Sequence, residues 1–201
     1  MFAELTLPLA TAGWAAIATA TAATLHRRLH TDEMTGLGNR AALRRHARRY
    51  RRCGLVGALL IDLDQFKAIN DTHGHDFGND VLTAVAARLA ENTAPGERAV
   101  RLHGDEFALH LGRVAHHAVA QHRADQIAQA LAEPLHVRGR RLTALGSVGL
   151  AVAEAGAPLG ELLGAADRRM YRAKHARRTP VALSGRPRRV RDLPPQPDHA
   201  A

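Results

Sequence analysis

Cys53 is the only cysteine in the 201 residues, which excludes an internal disulfide and suits a reducing compartment. Aromatic residues are nearly as scarce, at 3%. A core must therefore be built from Ala, Leu and Val, and the scarcity argues against the aromatic platform on which single-strand binders stack bases. Acidic residues are in short supply too, 19 against 28 Lys and Arg, for a formal net charge of +9. The excess is local: between positions 26 and 52 nine arginines face only Asp32 and Glu33. Such a collar reads first as a solvated helix face, then as attraction to anionic lipid headgroups, and third as nucleic-acid contact. No groove-reading helix is evident, so no specific nucleic-acid partner is expected. What is plentiful is hydrophobic residues, at 46%, enough for one ordinary domain with a two-sided core.

Positions 5 to 25 carry no charge over 21 residues, long enough to cross a bilayer as a helix, yet eight are Ala and five are Thr, which makes insertion marginal. If the run inserts, the basic His26-Arg27-Arg28 marks its cytoplasmic side, leaving the rest of the chain in the cytoplasm and anchored at the inner membrane. If it does not, it is a helix that packs on the domain or on a second copy. Further on, 40 to 52 reads as an Arg-studded amphipathic helix with Ala41, Leu43, Ala47 and Tyr50 on one stripe. The run 53 to 64 reads as a buried strand ending in Asp62 and Asp64, with Asp64 capping a short helix, QFKAIN. DTHGHDFGND reads as a loop, 81 to 93 as a helix, and 98 to 111 as a hairpin turning at His103-Gly104. Helix at 115 to 133, a strand pair or bent strand over 140 to 153 and helix at 158 to 176 complete the pattern, and the Pro- and Arg-rich tail, 185 to 201, is expected to be disordered. The implied fold is an α/β sandwich around a mixed sheet, close to the ferredoxin-like order of palm domains.

Asp62 at a strand end and Asp105 at a hairpin tip repel each other unless a cation lies between them, and hard oxygen ligands suit a divalent metal that works on phosphates. Taken together, DEMTGLGNR (32 to 40), DLDQFKAINDTHGHDFGND (62 to 80), RLHGDEF (101 to 107), SVG (147 to 149) and ADRRMYRAKHARR (166 to 178) resemble the GGDEF family of diguanylate cyclases. The resemblance covers 30 to 184, leaving 1 to 29 as an N-terminal apolar helix. It implies a palm-like nucleotidyl cyclase domain that joins two GTP into cyclic di-GMP and two pyrophosphates, with one GTP per domain and therefore a homodimer. It implies Mg²⁺ or Mn²⁺ held by Asp62, Asp105 and the Leu63 carbonyl. Glu106 would support the metal and the activation of the ribose hydroxyl. Lys67 would lie near the phosphates, which Lys174 and Arg178 would grip. Asn70 would read the guanine edge, and His75 and Gly104 fall among the substrate-lining positions.

Three departures from the family pattern carry expectations of their own. His103 stands where the signature has its first glycine, at a cost of about 1 kcal/mol if that position needs positive φ. Asn79 replaces an aspartate that accepts from guanine N–H groups, and its amide presents an acceptor beside a donor, which suits adenine. The product-inhibition motif RxxD falls on Ala94 to Glu97 without its arginine, so no product brake is expected there. His103 and Asn79 keep two alternatives open beside the cyclase: a catalytically silent GTP-binding or dimerising module, and a cyclase with relaxed base choice making mixed cyclic GMP-AMP.

Overall fold

A computed structural model of the chain describes residues 18–22, 24, 25, 27–143 and 146–178, the last four by backbone alone. The elements run α1 (Arg40–Ala47), a 3₁₀ turn (Arg48–Tyr50), β1 (Leu55–Leu63), α2 (Phe66–His73), α3 (His75–Glu91), β2 (Arg98–His103), β3 (Glu106–Val114), α4 (His117–Ala132), β4 (Leu135–Val137), β5 (Arg140–Leu142), β6 (Gly146–Glu154) and α5 (Leu159–Arg178). Most of the uncharged run 5 to 25 and all of the tail 185 to 201 lie outside the described residues. Among the described residues no helix is long and apolar enough to cross a membrane.

The main sheet has the order β2-β3-β1-β6, as expected of a ferredoxin-like sandwich. Its three strand pairings are all antiparallel, and the parallel component of the expected mixed sheet shrinks to an isolated bridge from Gly38 to Val100. β1 is central, hydrogen-bonded on both edges, and its side chains alternate between two cores. Leu59, Ile61 and Leu63 face the core shared with Val81, Val85, Phe107 and Ile127, whereas Val56, Ala58 and Leu60 face the one closed by Leu43, Leu162 and Met170. Each fully buried Leu or Ile there contributes about 1.5–3 kcal/mol. The alternation has a functional consequence: Asp62 continues the Val56, Ala58, Leu60 row and emerges on the face covered by α1 and α5.

Three local readings are corrected, and the condition attached to His103 is settled. In α1 the buried residues are Ala42, Leu43 and His46 with Ala41 exposed, because the helix turns His46 inward to its hydrogen bond with the Gly96 carbonyl, 3.2 Å. DTHGHDFGND is mostly helical: α2 and α3 abut at Gly74 (φ 85), since burial of Phe77, Gly78 and Val81 overrides the turn-forming composition. The N-cap of α2 is Gln65, with no capping side chain, and Asp64 instead accepts a hydrogen bond from the buried Ser147 hydroxyl at 2.8 Å. His103 is not strained, because the positive φ of the hairpin turn falls on Gly104 (φ 50).

Candidate active site

Two pairings at the end of β1 build an acidic corner. Asp62 lies directly opposite Glu106 of β3 in the antiparallel register, which puts the two Cβ atoms about 4.5–5.5 Å apart on one face. The Leu63 amide donates to the Asp105 carbonyl at 3.4 Å, tying the hairpin tip to the strand. Lys174 reaches across from α5 and forms an ion pair with Asp62, both side chains being mostly buried. Asp62 is thus already drawn to a cation, and the oxygen donors of Asp62, Asp105 and Leu63 could hold a divalent metal. Among the described residues no three His, Cys, Asp or Glu side chains converge as a closed metal site, so further ligands would come from phosphate or water.

His103 is mostly exposed and its Nε2 lies 3.1 Å from Glu106 Oε2, so the residue that replaces glycine contacts a carboxylate of the corner. The other expected residues stand apart. Lys67 is exposed on α2, and His75 and Asn79 are exposed on α3. No described hydrogen bond or ion pair joins any of them to Asp62. Asn70 differs: its Oδ1 is buried without a partner, with Gly78 leaving room for it where a Cβ would come within 1.8 Å. A buried acceptor left unpaired is costly and signals a missing donor. Asp80 forms an ion pair with Arg138 of the β4–β5 hairpin. It is therefore committed away from the role vacated at Asn79. Arg178 lies one turn beyond Lys174 on α5, but its side chain is outside the described residues.

Sequence reasoning missed Arg101 and Ser147. Arg101 donates from Nε to the Gly104 carbonyl at 2.9 Å and pairs through Nη1 with Asp32 at 3.2 Å, pinning the signature turn to the loop before α1. Burial works to raise the Asp32 pKa, but hydrogen bonds from Thr35 and the Arg101 charge together hold it below the usual value. At the site of the absent product-inhibition motif, Glu97 accepts from Arg123 Nε and Nη2 and from the Ala94 amide, each at 2.8 Å.

An antiparallel ferredoxin-like sheet, with carboxylates where its central strand meets a hairpin and a lysine brought in by the last helix, defines a palm-like α/β domain. The family model "Diguanylate cyclase, GGDEF domain" matches residues 29–180. The chain belongs to that family. It is 39% identical over 158 residues to the diguanylate cyclase DgcN of Escherichia coli, a match that covers 76% of this chain and 38% of that protein. It is 35% identical to the diguanylate cyclase DgcP of Pseudomonas aeruginosa, covering 74% of this chain and 23% of that protein. The chain thus spans well under half the length of these relatives. Among solved structures, the GGDEF domain of TpbB (YfiN) from Pseudomonas aeruginosa aligns with TM-score 0.64 and 34% identity, covering 73% of this chain and 90% of that one. The coiled coil and GGDEF domain of DgcB from Caulobacter crescentus, solved with c-di-GMP, aligns with TM-score 0.73 and 26% identity over 88% of this chain and 96% of that one.

Proposed function

We propose that the chain is a diguanylate cyclase that joins two GTP into cyclic di-GMP and releases two pyrophosphates, acting as a homodimer in the cytoplasm. The observation that carries this reading is the Asp62–Glu106 cross-strand pair with Lys174 held against Asp62. Asp62, Asp105 and the Leu63 carbonyl would hold Mg²⁺ or Mn²⁺, which lowers the pKa of the attacking hydroxyl and offsets charge on the leaving pyrophosphate. Each ribose 3′-oxygen attacks the α-phosphorus of the facing GTP. The new ester bond forms as the bond to pyrophosphate breaks, and the hydroxyl proton leaves through the Glu106 side of the corner. Lys174 exchanges Asp62 for phosphate oxygens when GTP enters, and Lys67 and Arg178 add positive charge along the triphosphate. Asn70 would turn its unpaired Oδ1 out from over Gly78 to accept from a guanine N–H, and Asn79, His75 and Gly104 line the remainder. With an amide at position 79, guanine is favoured less strictly over adenine.

Asp105→Ala tests the assignment. The backbone bond from Leu63 to the Asp105 carbonyl survives the substitution, so the fold should be kept while product formation falls at least about 100-fold. Unchanged turnover would refute the metal-holding role. A second reading, a module that binds GTP without turnover, is favoured by the His103–Glu106 contact, which occupies one carboxylate of the corner. Restored turnover in His103→Gly alone would support it.

A further inference from the structure

A second cationic feature lies away from the acidic corner. Arg27 and His30 from the helical residues 27–30, Arg45, His46 and Arg49 from α1 and the turn after it, and Arg98 at the start of β2 line a cleft of about 250 Å³. Among the described residues no acidic side chain lines it. The nearby Asp32 is already engaged by Arg101 and Thr35, and no ion pair engages Arg27, Arg49 or Arg98 among the described residues. The charge is felt inside the fold: burial first, and then the Arg98 and Arg49 charges, hold His46 below its ordinary pKa. The guanidinium groups of Arg27, Arg49 and Arg98, gathered in one cleft, repel one another and fit the forked oxygens of a phosphate group.

Position names the source. Arg27 and His30 lie within five residues of the end of the uncharged sequence 5 to 25, and Leu25 and Leu29 beside them are exposed, 57% and 58% accessible. Apolar side chains beside arginines are what the boundary between acyl chains and headgroups accepts. We propose that this cleft is a phosphate-binding site whose ligand is the headgroup of an anionic lipid, seating the domain against a membrane with its acidic corner left free. The site is independent of the cyclase reaction, and its test does not read turnover.

The test is co-flotation of the full chain with vesicles of phosphatidylcholine alone or with 30% phosphatidylglycerol (about a third anionic lipid, the range in which surface charge matters). The double variant Arg49→Gln/Arg98→Gln is compared with Arg140→Gln/Arg141→Gln, which removes the same charge from the exposed β4–β5 hairpin. The expected result is a preference for the anionic vesicles that falls at least about tenfold in the cleft variant and stays within about twofold in the hairpin variant. Equal losses in both variants would reduce the effect to net charge and overturn the site. So would the absence of any preference for phosphatidylglycerol. Displacement by millimolar inorganic phosphate at constant ionic strength would assign the cleft to a free phosphate and overturn the lipid assignment.

Discussion

Removing Glu97 should cost more than its place in a loop suggests. Its side chain is 7% exposed and that of Arg123 19%, and Glu97→Ala removes three charge-assisted hydrogen bonds of 2.8 Å. Breaking a buried pair by removing one partner typically costs 3–5 kcal/mol. Arg123 keeps the Asn92 carbonyl and Gln126 Oε1 as partners, which places the loss at the lower end, about 3 kcal/mol. For a domain of this size that lowers Tm by about 6–12 °C. Urea unfolding of the wild type, Glu97→Leu, Arg123→Met and Glu97→Leu/Arg123→Met completes a double-mutant cycle. The apolar double variant should recover most of the loss, since two well-packed apolar residues replace a buried pair at little cost. A Glu97→Ala loss below about 1 kcal/mol, or a double variant as unstable as the sum of the singles, would refute a structural role for the pair.

Burial chiefly, and the neighbouring His46 second, push the buried His110 down to about 4. An unfolded histidine titrates near 6.5. As pH falls from about 6.5 towards 4 the unfolded chain gains a proton that the folded chain refuses. Stability present above pH 6.5 should therefore decline by about 3 kcal/mol and level off below pH 4. His110→Phe should flatten that limb in a pH series of urea midpoints, and an unchanged limb would contradict it. Gly149 on β6 packs so closely under α5 that an added Cβ would lie 2.1 Å from the Ala166 carbonyl oxygen and 2.4 Å from the Met170 amide nitrogen. Gly149→Ala should cost at least about 3 kcal/mol by thermal melting, and a Tm within about 3 °C of wild type would show that α5 can shift outward freely.

The sheet was legible in sequence because its signals are local. An uninterrupted apolar run specified the central β1, and a glycine between alternating segments specified the β2–β3 hairpin. The phase of α1 was misjudged because Ala41 and Ala42 are chemically alike and only the long-range bond from His46 to Gly96 decides which faces inward. The junction of α2 and α3 was hidden by Gly, Asn and Asp, whose turn preference yields to the burial of Phe77 and Val81. The short β4, after Pro134, has too few residues to show a period. Asp62, Asp105 and Glu106 stood out because acids at strand ends interrupt apolar runs. Arg101 and Ser147 did not, since their partners Asp32 and Asp64 lie 69 and 83 positions away.

The central claim concerns a product, and identifying it by mass is the most direct test. The full chain, incubated with GTP, ATP and Mg²⁺, is predicted to yield cyclic di-GMP, accompanied by mixed cyclic GMP-AMP to the extent that Asn79 relaxes base choice. Absence of any cyclic dinucleotide from a preparation that binds GTP and is dimeric would contradict the account.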